Sequence, residues 1–200
     1  MGLTELREQY RHDLFWNPAY RLNNEALDYD YSRRGDDNED FDYLGHAIET
    51  FWIIMREALR RGDRALFDLA AERMKRHMEV AWDDVHGGFF RSMEVNGTVS
   101  FDKVLWLQEE VLIGMMMLLE HTDLDWPELW FGRTFRYVQQ KFPLEPHGYS
   151  LWSMGGDRKV TYRPHTARKG NYHHPRHLML NLLAIDRMTE RGGRMSNAWQ

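Results

Sequence analysis

Residues 111–119 read Val111-Leu112-Ile113-Gly114-Met115-Met116-Met117-Leu118-Leu119, a run with no polar side chain. A helix that is apolar around its whole circumference must be buried on all sides. The run is also far short of the roughly 18 apolar residues that a membrane span needs. It therefore marks the central helix of a helical domain, predicted from Lys103 to Thr122. Helical patterns surround it. Tyr43 to Arg61 stops at Gly62, a natural C-terminal signal. The next segment opens with Asp63 as N-cap and places Leu66, Leu69, Ala70, Met74, Met78 and Ala81 opposite Arg64, Asp68, Glu72, Lys75 and Arg76, so it has one wet face. Another begins at Pro127, a favoured first helical residue, and reaches Phe142. The last begins at Pro175 and runs through Leu178, Met179, Leu182, Leu183 and Ile185 to Met188. A short helix is predicted over Thr4 to Arg11. Asn96-Gly97, between Phe89 and Phe101, signals a small β-hairpin. The acidic stretch from Asp36 to Asp40 reads as a solvated connection, because it lacks the Gly and terminal Glu of an EF-hand loop.

The fold class is thus all-α, with six helices arranged as three helical hairpins. The chain has 200 residues and is 42% hydrophobic, enough for one substantial core and one helical domain over residues 1–200. A net charge of -5 with no basic stripe argues against nucleic acid as a partner. Neither a signal core nor a membrane span is present, so a soluble cytoplasmic protein is expected. The absence of cysteine excludes thiolate chemistry and a Cys-based zinc site. Eight tryptophans are more than packing usually requires, and indole faces commonly stack on sugar rings.

Three polar clusters punctuate the apolar helices, each placed at a helix start: Gly45-His46-Ala47-Ile48-Glu49, Lys103-Val104-Leu105-Trp106 running on to Glu110, and Tyr172-His173-His174-Pro175-Arg176. They fall on alternate helices. If hairpins stand side by side, every second helix faces the centre and the inner helices run parallel, so the three clusters converge at one mouth. Helix N-termini there favour an anion or a developing oxyanion. Each residue also has a plainer reading. Glu49 and Glu110 could be buried structural hydrogen-bond partners, Trp106 could be core, and Trp52 and Trp130 are assigned to the core. His77, His86, His121 and His147 read as structural or exposed.

Gly45-His46-x-x-Glu49, Trp82-Asp83 followed by Gly87-Gly88-Phe89, Lys103-x-x-Trp106-x-Gln108-x-Glu110 and Lys169-Gly170-x-Tyr172-His173-x-x-Arg176 together resemble the N-acylglucosamine 2-epimerase family, which includes cellobiose 2-epimerases and aldose-ketose isomerases. The resemblance covers Leu6 to Met188 and implies an (α/α)6 barrel, of which the motifs here match the second half. The first half, which supplies a sugar-binding arginine and a further histidine in the family, has no counterpart. Either the chain is a fragment lacking its N-terminal half, or a homodimer or a separate partner completes the ring.

The resemblance implies a sugar epimerase or isomerase that interconverts free, unphosphorylated sugars by His-mediated proton transfer at C2 through an enediolate. Such chemistry needs two separately placed bases, and imidazole, with a pKa of about 6.5, can both accept and donate near neutral pH. His46 and His173 are the implied pair. Glu49 and Glu110 join them in the catalytic set, and Trp106, Arg176, Lys103 and Tyr172 form the substrate-binding set. Arg176 could hold sugar oxygens or the enediolate. No cofactor is expected, since no phosphate-binding glycine loop is present. No metal is expected either. His173 and His177 stand four apart, yet Pro175 places His173 before the first full turn and no His-Glu-x-x-His signature occurs. Two other readings compete: an (α/α)6 glycoside hydrolase using Glu49 and Glu110, and a non-catalytic carbohydrate-binding half-barrel.

Overall fold

The computed structural model describes residues 13–35, 41–144, 149–150, 153–155, 161–163, 172–193 and 195–199. Its described helices are α1 (Leu44–Arg61), α2 (Arg64–Ala81), α3 (Leu105–His121), α4 (Trp126–Lys141) and α5 (His173–Glu190). The segment from Thr4 to Arg11 and the acidic stretch 36–40 lie outside the described residues. None of the described helices is long and apolar enough to cross a membrane.

Local chemistry sets the helix ends. Gly62 closes α1 in the left-handed region (φ 68°), where a side chain would be strained, and Arg60 and Arg61 lie in the negative last turn. The Asp63 side chain then accepts a hydrogen bond from the Leu66 N–H and caps α2. In α1, Leu44, Ile48, Phe51, Trp52, Met55 and Ala58 recur at helical spacing and are all buried. They pack with Phe67, Ala70, Met74 and Met78 of α2 and Leu107, Val111, Ile113, Met115 and Leu118 of α3 in one core cluster. Each large side chain buried there stabilises the fold by about 1.5–3 kcal/mol relative to exposure. The apolar run of α3 is enclosed from Val111 to Met116. α1 lies beside α3 and α3 beside α5, while α2 packs on α1 and α4 on α3. The inner row is thus made of alternate helices.

Parallel alignment of α3 and α5 is fixed at both ends. At their starts, His173 Nδ1 lies 2.8 Å from Glu110 Oε1. At their ends, Arg187 and Arg191 donate to the buried Glu120 carboxylate at 2.6–3.0 Å. Between these points α5 buries only His177, Asn181 and Ala184. Leu178, Met179, Leu182, Leu183 and Ile185, predicted simply as helix positions, are 43–59% exposed and form an uncovered apolar face.

Short strands are more numerous than the single predicted hairpin. The hairpin exists as β4 (Ser92–Glu94) and β5 (Val99–Ser100), but β3 (Phe41–Asp42) extends it to three strands. A pair, β1 (Trp16–Asn17) and β2 (Leu22–Asn23), precedes it. β6 (Lys103–Val104) pairs antiparallel with β9 (Ser153–Gly155), which in turn pairs with β10 (Thr161–Arg163), and β7 (Pro143–Leu144) pairs with β8 (Tyr149–Ser150). The prediction that Lys103 opens a helix is therefore corrected: its backbone is extended in a ladder, and α3 begins two residues later.

Two of the sequence motifs turn out to be fasteners between the loop after α2 and the start of α3. Buried Lys103 places Nζ 2.5 Å from Asp83 Oδ2 and also donates to the Gly87 carbonyl. Asp83 Oδ1 in turn accepts from the Val85 and His86 N–H groups. The Gln108 amide closes a two-way bond with the Phe89 backbone, at 3.0 Å in each direction. Buried polar groups held this way are satisfied and position the loop.

Burial pushes the Glu120 carboxyl up, but the bonds from Arg187 and Arg191 outweigh it, so the group titrates below its ordinary value of 4.5. The stabilisation is then present above that value and declines as pH falls through the lower folded-state one. Glu120→Gln is expected to lower stability by about 1–3 kcal/mol at neutral pH. In denaturant titrations the gap between variant and parent should close as the medium is acidified below the ordinary carboxylate range.

Candidate active site

The N-terminal ends of α1, α3 and α5 bring seven of the eight predicted site residues into one contiguous cluster. Trp106, on α3, is its floor. The His173 ring stacks on the indole with a centroid separation of 4.8 Å, and the His46 ring lies 5.6 Å from it. Tyr43 stacks on His46 at 4.2 Å and lies nearly parallel to Trp106. Both imidazoles therefore rest against one indole, although they come from helices at opposite ends of the inner row. Trp106 itself is buried and covered by these rings, so it shapes the imidazoles' positions and offers little face for a sugar.

Glycine at position 45 is what lets α1 approach so closely. A Cβ there would sit 2.5 Å from the Trp106 Cη2 atom and 3.1 Å from Leu107. The indole, confined between its aromatic neighbours, has no easy retreat.

Glu110 is fully buried and has a complete set of donors. Its Oε2 accepts from Trp52 Nε1 at 2.6 Å, and its Oε1 lies 2.6 Å from Arg176 Nη2 and 2.8 Å from His173 Nδ1. A carboxylate can only accept, and Arg176 can only donate. The bond is satisfied when His173 carries its proton on Nδ1, which leaves the Nε2 lone pair available as a base. Arg176 Nη2 also approaches Nδ1 at 3.1 Å, but its protons are already directed at Glu110 and at Glu49 Oε1, 2.6 Å away. Burial opposes the guanidinium charge, while Glu49 and Glu110 more than compensate and raise its pKa. Arg176 also donates to the Tyr172 hydroxyl at 2.8 Å and covers the Trp52 ring.

Some placements differ from the sequence reading. Glu49, expected in the catalytic set, is taken up by an ion pair with Arg176. The partner of His46 is Glu25, whose Oε1 lies 2.8 Å from Nδ1. That hydrogen bond is the main reason the imidazole pKa is raised, with burial opposing it. Arg176 is engaged with two carboxylates, so its charge reaches a ligand mainly through the groups it holds. Lys103 stands apart from the cluster in its buried ion pair with Asp83. Its side chain is 4% exposed, and burial holds its pKa below the ordinary lysine value. The ion pair holds this lysine between the loop after α2 and the start of α3. Trp52, assigned to the core, is buried as expected but also holds Glu110. Its position one turn after Glu49 is the only sequence signal of that role. Glu25 had none, because it lies on an irregular segment.

A second polar group adjoins the first. Glu109, buried on α3, contacts His174 Nδ1 and lies 3.7 Å from His177 Nδ1. Burial pushes the Glu109 carboxyl up to about 7 against the pull of His174, and lowers His177 to about 4.

The arrangement of alternate parallel inner helices with a polar cluster at their N-terminal mouth defines the class: half of an α/α toroid. A profile of the family described as N-acylglucosamine 2-epimerase (GlcNAc 2-epimerase) matches residues 4–176, and the chain belongs to that family of sugar epimerases and isomerases. The N-acylglucosamine 2-epimerase of Bos taurus is 26% identical over 143 residues, covering 68% of this chain and 34% of that protein. The Mus musculus protein of the same name is also 26% identical, over 145 residues. The fold superimposes on cellobiose 2-epimerase from Bacillus thermoamylovorans with a TM-score of 0.71, at 21% identity and over 90% of this chain and 45% of that one. For D-mannose isomerase the TM-score is 0.66 at 16% identity, over 94% and 49% of the two chains. The chain thus spans about a third of the length of the curated relatives and about half of the solved toroids.

Gly45→Ala is expected to displace the Trp106 ring, lower stability by about 1–3 kcal/mol, and loosen both imidazoles together. Denaturation curves would show the first effect. The line widths of the His46 and His173 ring resonances would show the second, and unchanged rings would refute the close-approach argument.

Proposed function

We propose that this chain carries the proton-transfer half of a cofactor-independent epimerase or isomerase acting on free, unphosphorylated reducing sugars. The observation that supports it most is the pair of imidazoles against one indole, one of them oriented by a buried carboxylate. Removing the proton at C2 of an aldose breaks the C2–H bond and moves its electrons toward the carbonyl, giving an enediolate. One imidazole takes the proton. Return of a proton to C2 from the opposite face inverts that centre, whereas return to C1, with the O2 proton passing to O1, yields the ketose. His173 Nε2 suits the role of base because Glu110 holds the other nitrogen and stabilises the imidazolium that forms. His46, with its charge favoured by Glu25, suits the role of the second proton carrier. The N-terminal ends of α1, α3 and α5 and the nearby Arg176 guanidinium supply positive potential for the enediolate oxygens. Glu49, Arg176 and Tyr172 act as one bonded unit that keeps Glu110 in place.

The hydrolase reading receives no comparable support. Glu49 and Glu110 both grip Arg176 Nη2 at 2.6 Å, so a cation occupies the place where a glycosidic oxygen would have to sit between an acid and its partner.

The uncovered apolar residues of α5 form the edge against which a second helical half would pack, and a second copy of this chain has the matching length. A solution mass of twice the chain is expected, and a monomer at assay concentration would overturn that assignment. In deuterated water, the assembled protein should exchange the C2 proton of D-mannose or cellobiose. His46→Ala and His173→Ala should each slow the exchange by about 10²- to 10⁴-fold. Glu25→Gln should move the alkaline limb of the rate profile to lower pH, because it removes the group that raises the pKa of the proton-donating His46 imidazolium. Exchange that persists in both histidine variants would sink the mechanism.

A further inference from the structure

The group formed by Glu109, His174 and His177 is independent of the sugar chemistry above, since neither of its histidines is one of the two proton carriers. The ligating atoms of all three residues lie within 4.8 Å of one another. His174 and His177 are three apart on the first turn of α5 and so share a face. Their rings are 5.9 Å apart, and Glu109 meets them from the first turn of α3. His177 is 8% exposed, and its Nδ1, turned toward Glu109 at 3.7 Å, has no hydrogen-bond partner. A buried ring nitrogen left without a donor or acceptor loses the full solvation of that atom. An ion at the centre of the triangle would restore it.

A similar triangle, Glu49, Glu110 and His173, lies alongside. It already contains a cation, because Arg176 donates to both of its carboxylates. Among the described residues no lysine or arginine forms an ion pair with Glu109, whose contacts are the two histidines. The two groups therefore divide the work: one is neutralised by a guanidinium, and the other is open to an external ion.

We propose that Glu109 Oε1, His174 Nδ1 and His177 Nδ1 bind one divalent transition-metal ion of the zinc type, which fastens the start of α5 to α3. Two imidazoles and one carboxylate are a donor set that such ions favour over magnesium or calcium. In a tetrahedral site with metal–ligand bonds of about 2.0–2.2 Å, neighbouring ligand atoms are roughly 3.3 Å apart, so the His177 to Glu109 separation needs to close only slightly. The proton shared by His174 and Glu109 leaves to solvent as the ion enters. The histidine pair that sequence spacing suggested, His173 and His177, is not the one that converges. α5 begins at His173 itself, and the 174/177 pair faces Glu109 while His173 turns to Glu110.

The site is tested by titrating the full, tag-free chain with Zn²⁺ or Co²⁺ and following heat and the cobalt absorption bands. Binding of one ion per chain is expected, together with a rise in the unfolding midpoint. His177→Ala and His174→Ala should each weaken binding by about a hundredfold or more, and Glu109→Gln by at least tenfold, while circular dichroism shows the fold retained. His173→Ala should leave it within about threefold. Absence of stoichiometric binding would overturn the proposal. So would undiminished binding in a well-folded His177→Ala variant, or loss of binding in His173→Ala alone, which would move the ion to the neighbouring triangle. Because the readout is metal binding, a failed sugar assay would not affect it.

Discussion

The carboxylate of Glu110 has no contact with solvent, and three donors from three places in the chain meet on it: the indole of Trp52, the guanidinium of Arg176 and the imidazole of His173. An ionised group in that position is tolerable only when it is fully bonded. Removing any one donor would leave a buried charge short of partners. That requirement ties α1, α3 and α5 together at their N-terminal ends, and it sets which nitrogen of His173 carries the proton. The same interaction thus serves packing and chemistry.

A comparable constraint acts at the other end of the inner helices, where Glu120 accepts from Arg187 and Arg191. Between the two carboxylates, α5 contributes little apolar burial to this half of the toroid. Its contact face is His177, Asn181 and Ala184 with Leu180 partly buried against the core, and Leu178, Leu182 and Leu183 point away. The edge helix is therefore held by charge-assisted bonds while its hydrocarbon face remains available. This explains how a helix can be well placed here while much of its apolar face stays exposed.

Family motifs divide by physical role once they are located in three dimensions. Gly45, His46, Glu49, Trp106, Glu110, His173 and Arg176 gather at the mouth. Lys103, Asp83 and Gln108 instead hold the loop after α2 against the start of α3. Residue type alone does not separate these groups, since a lysine at a helix start looks equally suited to a substrate phosphate, a sugar or a buried ion pair. The deciding fact is that β6 turns the Lys103 side chain into the protein, where Asp83 and the Gly87 carbonyl await it.

Helix positions, the caps at Gly62 and Asp63, the buried character of α3 and the turn at Asn96-Gly97 are local properties, because periodicity, capping groups and turn residues act over a few positions along the chain. They, and the alternation of polar clusters on every second helix, were enough to predict an inner row of helices with a shared mouth. Contacts between distant segments were another matter. The pairing of Glu25 with His46, of Glu49 with Arg176, of Trp52 with Glu110, and the meeting of Glu109 with His174 and His177 all depend on how helices are rotated and staggered against each other. Those relations arise from packing across separations of 21 to 127 residues, over which no periodic signal in the sequence extends.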